Sequence, residues 1–169
     1  MRAKLAGLST NEILVHRALN RIVDGQWIEW AASMLEKGLD SYHLRILAGE
    51  TPPYFQSELI SLADKTFEEL GLNWSDTERA VRRYAAELLA DLLAGTREAA
   101  SVLKSLKDLC LEMKRPPYLY DFYMLHYALL DLKEEENTPY WSGAHPSNIF
   151  RIITDTARIW LEGFERDRK

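Results

Sequence analysis

The stretch Tyr118-Leu119-Tyr120-Asp121-Phe122-Tyr123-Met124-Leu125-His126-Tyr127-Ala128-Leu129-Leu130-Asp131-Leu132 decides the fold. It holds no Gly or Pro and is long enough for about four helical turns. Wound as a helix, it sets Tyr118, Phe122, Leu125, Leu129 and Leu132 on one side. Tyr120, Tyr123, Met124, Tyr127 and Leu130 cover most of the other. A helix that is apolar nearly all round must be surrounded by protein. The stretch therefore reads as the central helix of an all-helical domain, running to about Glu135.

Outward from it, the same period recurs. Trp27, Trp30, Ala31, Met34 and Leu35 stand at i, i+3, i+4, i+7 and i+8, the template for one buried stripe. Gly38 is its natural stop, and Asp40 caps a short helix from Ser41 to Ala48, stopped by Gly49. Ser9-Thr10-Asn11-Glu12 and Ser75-Asp76-Thr77-Glu78 read as capping boxes that open two further helices. The first carries Leu14, Ala18, Leu19 and Ile22 and ends at Asp24-Gly25; the second buries Val81, Tyr84, Ala85, Leu88 and Leu92. Between them, Phe55, Leu59, Leu62, Ala63, Phe67 and Leu70 mark a helix from about Pro53 that Gly71 ends, and Gly95 ends the helix that follows it. Thr96 caps a sixth, with Leu103, Leu106 and Cys110 on its face, and Ile149, Ile153, Ala157, Trp160, Leu161 and Phe164 mark the last. No segment reads as a strand, no fixed-period repeat occurs, and no composition break suggests a second domain. The expectation is an all-α fold: one domain, 1–169, of seven or eight mostly antiparallel helices around the central one near 118–135.

The totals agree. A chain of 169 residues, 47% hydrophobic and 28% charged, buries roughly 70% of its unfolded surface and can build a core without metals or disulfides. The net charge of −5 disfavours nucleic acid and anionic membrane as partners and suits a basic protein. Arg79, Arg82 and Arg83 form a basic edge, but Glu78 and Glu87 at i, i+4 neutralise it. One cysteine, Cys110, permits no internal disulfide and fits a reducing compartment, so the expected location is the cytoplasm. No apolar run is long enough to span a membrane.

Chemistry is harder to find. The four histidines are scattered, with no His-x-x-x-His or Glu-x-x-His, so neither metal nor cofactor is expected. No nucleophile elbow or phosphate loop occurs. Asp121 and His126 lie on a helix expected to be buried, where their pKa values would shift. Five residues separate them, about 140° around the helix, which sets them against different neighbours. With His145 they form the candidate site of an enzyme assembled across helices. The other candidate is a partner-binding surface on the 139–146 connection, where Tyr140 and Trp141 supply anchoring area and Glu134, Glu135 and Glu136 supply charge. Two readings of that connection stand together: a protruding binding loop, or a lid folded back on the end of the central helix.

The segment Trp30-Ala31-Ala32-Ser33-Met34-Leu35-Glu36-Lys37-Gly38-Leu39-Asp40-Ser41-Tyr42-His43-Leu44-Arg45-Ile46-Leu47-Ala48-Gly49 resembles small uncharacterised bacterial all-helical proteins. They share its pattern of Trp-Ala, Met-Leu, Gly, Asp-Ser and Leu-Arg-x-Leu-Ala-Gly. The resemblance implies a helical bacterial protein with relatives among the immunity proteins of toxin systems, and it carries no catalytic residue. The function expected is non-catalytic binding of another protein, with toxin neutralisation as its specific form.

Overall fold

A computed structural model describes residues 7–168. The chain is all-α. Among the described residues it forms eight helices and no strand, and none of the helices is long and apolar enough to cross a membrane. They are α1 (Thr10–Ala18), α2 (Gly25–Glu36), α3 (Tyr42–Ala48), α4 (Gln56–Glu69), α5 (Thr77–Ala94), α6 (Ala99–Glu112), α7 (Pro117–Asp131) and α8 (Ile149–Arg166). Their contacts gather into two compact units, one through Tyr84 and the other from Ala85. The division falls inside α5, so no Gly- or Pro-rich linker marks it in the sequence.

The first unit is built on α2. Trp27, Trp30, Ala31 and Met34 are all buried, as their spacing requires. Phe67 of α4 lies at the centre, 5.6 Å from the Trp30 ring, 6.2 Å from Trp27 and 5.4 Å from Trp74. The Trp30 indole N–H donates to the Thr10 hydroxyl oxygen at 3.2 Å. Arg17 of α1 grips Asp64 of α4 through two hydrogen bonds of 2.6 and 3.0 Å. That fork is the geometry in which guanidinium–carboxylate pairs are strongest.

Several helix ends differ from the sequence reading. Asp24-Gly25 opens α2 rather than closing α1: the Asp24 carboxylate accepts the Gln26 N–H at 2.9 Å. α1 has already stopped at Ala18, with Asn20 left-handed at φ 54°, and this leaves Ile22 75% exposed rather than on a buried face. Ser41, not Asp40, caps α3, accepting the Leu44 N–H at 3.2 Å. Asp40 instead pairs with Arg45 at the surface. Asp76, not Ser75, accepts the Arg79 N–H at the start of α5, because Ser75 is held in a local turn by Asn73. α4 starts at Gln56, whose side chain bonds both the N–H and the carbonyl of Val23. The Gly38, Gly71 and Gly95 stops all hold, each glycine having positive φ.

In the second unit α6 and α7 pack together and α8 lies against α7. α6 begins at Ala99 with no Thr96 cap, because the Thr96 hydroxyl is spent on the Asp91 carbonyl. The buried side of α7 is Leu119, Phe122, Leu125, Ala128 and Leu129. Phe122 meets the Trp160 ring at 6.4 Å, and the Trp160 indole N–H donates to the Tyr118 carbonyl at 2.7 Å. The expectation that α7 is enclosed all round fails. Asp121 is exposed, Tyr120 is 41% exposed and Leu130 45%. The tyrosines explain it: an apolar ring with a polar tip serves a surface as well as a core. α7 also stops at Asp131, before Glu134-Glu135-Glu136 and short of the expected end near Glu135.

The first unit yields one direct test. Glu69 accepts the His43 backbone N–H at 3.0 Å and lies 2.5 Å from His43 Nδ1. Hydrogen bonding from Ser41 and then from His43 holds the Glu69 carboxyl down at about 2, against an ordinary 4.5. A depressed carboxylate pKa gives stability that is full above the unfolded value and is lost as pH falls through the folded one, so the loss here spans about pH 4.5 to 2. Ser41→Ala removes both the α3 cap and the strongest restraint on Glu69. It destabilises the chain by about 0.5–2 kcal/mol at neutral pH and moves the Glu69 titration, followed by carboxyl NMR, up toward its ordinary value. An unmoved Glu69 titration would refute the assignment.

Candidate functional site: a tyrosine ladder beside an acidic run

The exposed side of α7 is aromatic. Tyr120, Tyr123 and Tyr127, at i, i+3 and i+7, share one face. The Tyr120 and Tyr123 rings stack at 5.6 Å, Tyr127 meets Tyr123 edge-on at 5.1 Å, and Tyr140 stacks on Tyr127 at 5.2 Å. Four rings thus form one continuous ladder.

Tyr140 arrives by a tight return of the chain. The Thr138 hydroxyl donates to the Asp131 carboxylate at 2.9 Å and accepts the Tyr140 N–H at 3.2 Å. His145 Nδ1 lies 3.0 Å from the Glu136 carbonyl, and Asn148 ties the His145 N–H to the Gly143 carbonyl. Of the two readings of the 139–146 connection, Tyr140 follows the second: its ring folds back on α7 instead of protruding. Trp141 is half-buried. Glu134, Glu135 and Glu136 are exposed, and their carboxylates make no ion pair among the described residues.

One ring in from the Tyr120 end of the ladder, the Arg115 guanidinium lies over the Tyr123 ring at 5.5 Å. Arg115 is placed there by an unusual turn. Lys114 and Arg115 both have left-handed backbone, φ 60° and 59°, and the Arg115 N–H donates back to the Cys110 carbonyl at 2.6 Å. Left-handed non-glycine residues cost on the order of 1–3 kcal/mol each. No local pattern in the sequence signals the conformation that aims Arg115 at the ladder.

Beside Tyr123 and Tyr127, the α6 residue Lys107 pairs with Asp108, which also holds Lys104 at 3.1 Å. Hydrogen bonding to Asp108 raises the Lys107 pKa, so its ammonium stays charged. His126 is half-buried, and burial, reinforced by repulsion from Lys107, lowers its pKa, so its ring is neutral at pH 7. Its edge meets Tyr127 at 5.1 Å.

The residues singled out for an enzyme are not drawn together. Asp121 points to solvent rather than to a core, because its side of α7 is the open one. His145 is exposed, and since a carbonyl only accepts, its proton sits on Nδ1. No hydrogen bond or ion pair joins any two of Asp121, His126 and His145. Cys110 is fully buried, and burial raises its thiol pKa, which suits a small core residue rather than a nucleophile. Among the described residues no three His, Cys, Asp or Glu side chains cluster as a metal site. In the first unit Ser41, His43 and Glu69 do meet, but the Ser41 hydroxyl acts on the carboxylate and not on the imidazole, so they form no nucleophile–base pair. Their separation of 26 residues left no sequence signal. No family model, no curated protein and no solved structure matches this chain.

Proposed function

We propose that this chain is a non-catalytic, cytoplasmic protein-binding module that takes a basic partner on the tyrosine ladder, in the manner of an immunity protein neutralising a toxin. The observation that carries the reading is the ladder itself, four rings in continuous stacked and edge-on contact followed by an exposed acidic run. Tyrosine joins apolar area to a hydrogen-bonding tip at low entropic cost and is enriched among interface anchors. Ring faces attract cations, and Arg115 over Tyr123 is that interaction within the chain. Glu134, Glu135 and Glu136 supply the long-range attraction that speeds encounter with a basic surface. The two left-handed residues that aim Arg115 hold strain at the same place, where strain commonly accompanies function.

Affinity capture from the native host, followed by titration of the purified pair, tests it. Tyr120→Ala weakens binding by about 2 kcal/mol or more, as hot-spot aromatics do, and leaves the melting temperature nearly unchanged. Replacing all three glutamates by glutamine slows association and flattens its salt dependence. A captured partner that binds both variants as well as the native chain would overturn the reading.

A further inference from the structure

We infer that the cleft formed by the start of α6, the end of α7 and the start of α8 binds a free α-amino acid with an apolar side chain. The cleft has a volume of about 350 Å³. That is at the small end of ligand pockets, roughly 300–1,000 Å³, and fits a body the size of one large side chain.

Leu129, Leu132 and Ile149 are nearly buried lining residues, and the Phe150 ring beside them is 60% exposed. An exposed phenylalanine at the mouth of an apolar cleft adds stacking area to whatever enters. Two opposite charges also line the cleft, from different elements: Glu98 of the α6 N-cap and Lys133 just past α7. Both are exposed, and neither makes a hydrogen bond or ion pair through its side chain. Glu98 does not cap its own helix, so its carboxylate is not spent locally.

The pattern selects by charge. A simple carboxylate such as a fatty acid meets Lys133 but is repelled by Glu98. A simple amine meets Glu98 but is repelled by Lys133. A zwitterion with an apolar body satisfies both, its ammonium toward Glu98 and its carboxylate toward Lys133, with the side chain over Leu129 and Leu132. Each pairing at an exposed mouth is worth about fivefold in affinity, ~1 kcal/mol. The inference does not depend on the ladder: the lining residues include none of its tyrosines.

Titration of the full chain with L-phenylalanine, followed by heteronuclear NMR, tests it. Saturable shifts appear at Leu129, Leu132, Lys133, Ile149 and Phe150 with a millimolar or tighter Kd. Phenylpropionate and phenethylamine, which lack one charge each, bind about fivefold more weakly. Lys133→Met makes L-phenylalanine no better than phenethylamine, and Glu98→Gln makes it no better than phenylpropionate. Both substitutions are at exposed positions, so folding is retained and can be checked in the same spectra. Absence of saturable shifts at these residues overturns the inference. So does equal binding of the three probes, which would leave an apolar hole without charge selection. Tighter binding of a phenylalanine peptide blocked at both ends also overturns it, and would make the cleft an anchor for a partner's side chain.

Discussion

Trp30→Ala lowers the unfolding free energy by about 3–5 kcal/mol, the range for removing a buried large aromatic. Trp30 is fully buried, its ring sits edge-on to Phe67 at 5.6 Å, and its N–H is donated to Thr10. The substitution removes the transfer free energy of the indole, opens a cavity beside Phe67, and takes away the donor facing the Thr10 hydroxyl. Denaturant unfolding measures the loss as a shifted midpoint at unchanged slope. Trp30→Phe keeps most of the burial and loses the hydrogen bond, for a smaller cost of about 1 kcal/mol. A loss below about 1 kcal/mol for the alanine variant would mean the α2 stripe is not core.

Phe122→Ala gives the second large effect, also about 3–5 kcal/mol. Its ring is fully buried and packs against Trp160. The informative comparison is within the same helix. Tyr120→Ala, on the open side of α7, changes stability by no more than about 0.5 kcal/mol. Hydrogen exchange separates them further: the Phe122 variant loses protection along α7 and α8, while the Tyr120 variant retains it. This contrast bears on function directly, because a face that can be altered without unfolding is a face free to bind. Similar costs for the two variants would show the tyrosine side to be core after all.

Local chemistry made much of the fold legible. The stripe of α2 could be read because one face is apolar and the other polar, so period alone orients the helix. The stops at Gly38, Gly71 and Gly95 could be read because a residue without a Cβ is the natural occupant of left-handed backbone. Choosing among adjacent capping residues was beyond the same signals: Asp40-Ser41 and Ser75-Asp76 each offer two acceptors, and the turn before the helix selects one.

The site was legible in composition and not in geometry. The tyrosines and the glutamate run stand out by type, and the positions of Asp121 and His126 around α7 follow from spacing alone. Which side of α7 is buried does not follow, because both sides are apolar and a helical period cannot rank two apolar faces. Packing with α6 and α8 ranks them, enclosing Phe122 and leaving Tyr120 and Asp121 open. The Tyr140 ring on Tyr127, Arg115 over Tyr123 and the Glu69–His43 pair are likewise decided only in three dimensions. Amino-acid type and spacing thus determined the helices, their buried stripes and their glycine stops, since those depend on residues within one or two turns. The open face, the ladder and the cleft were decided by tertiary structure, because they depend on which distant side chains meet, and no local period encodes that.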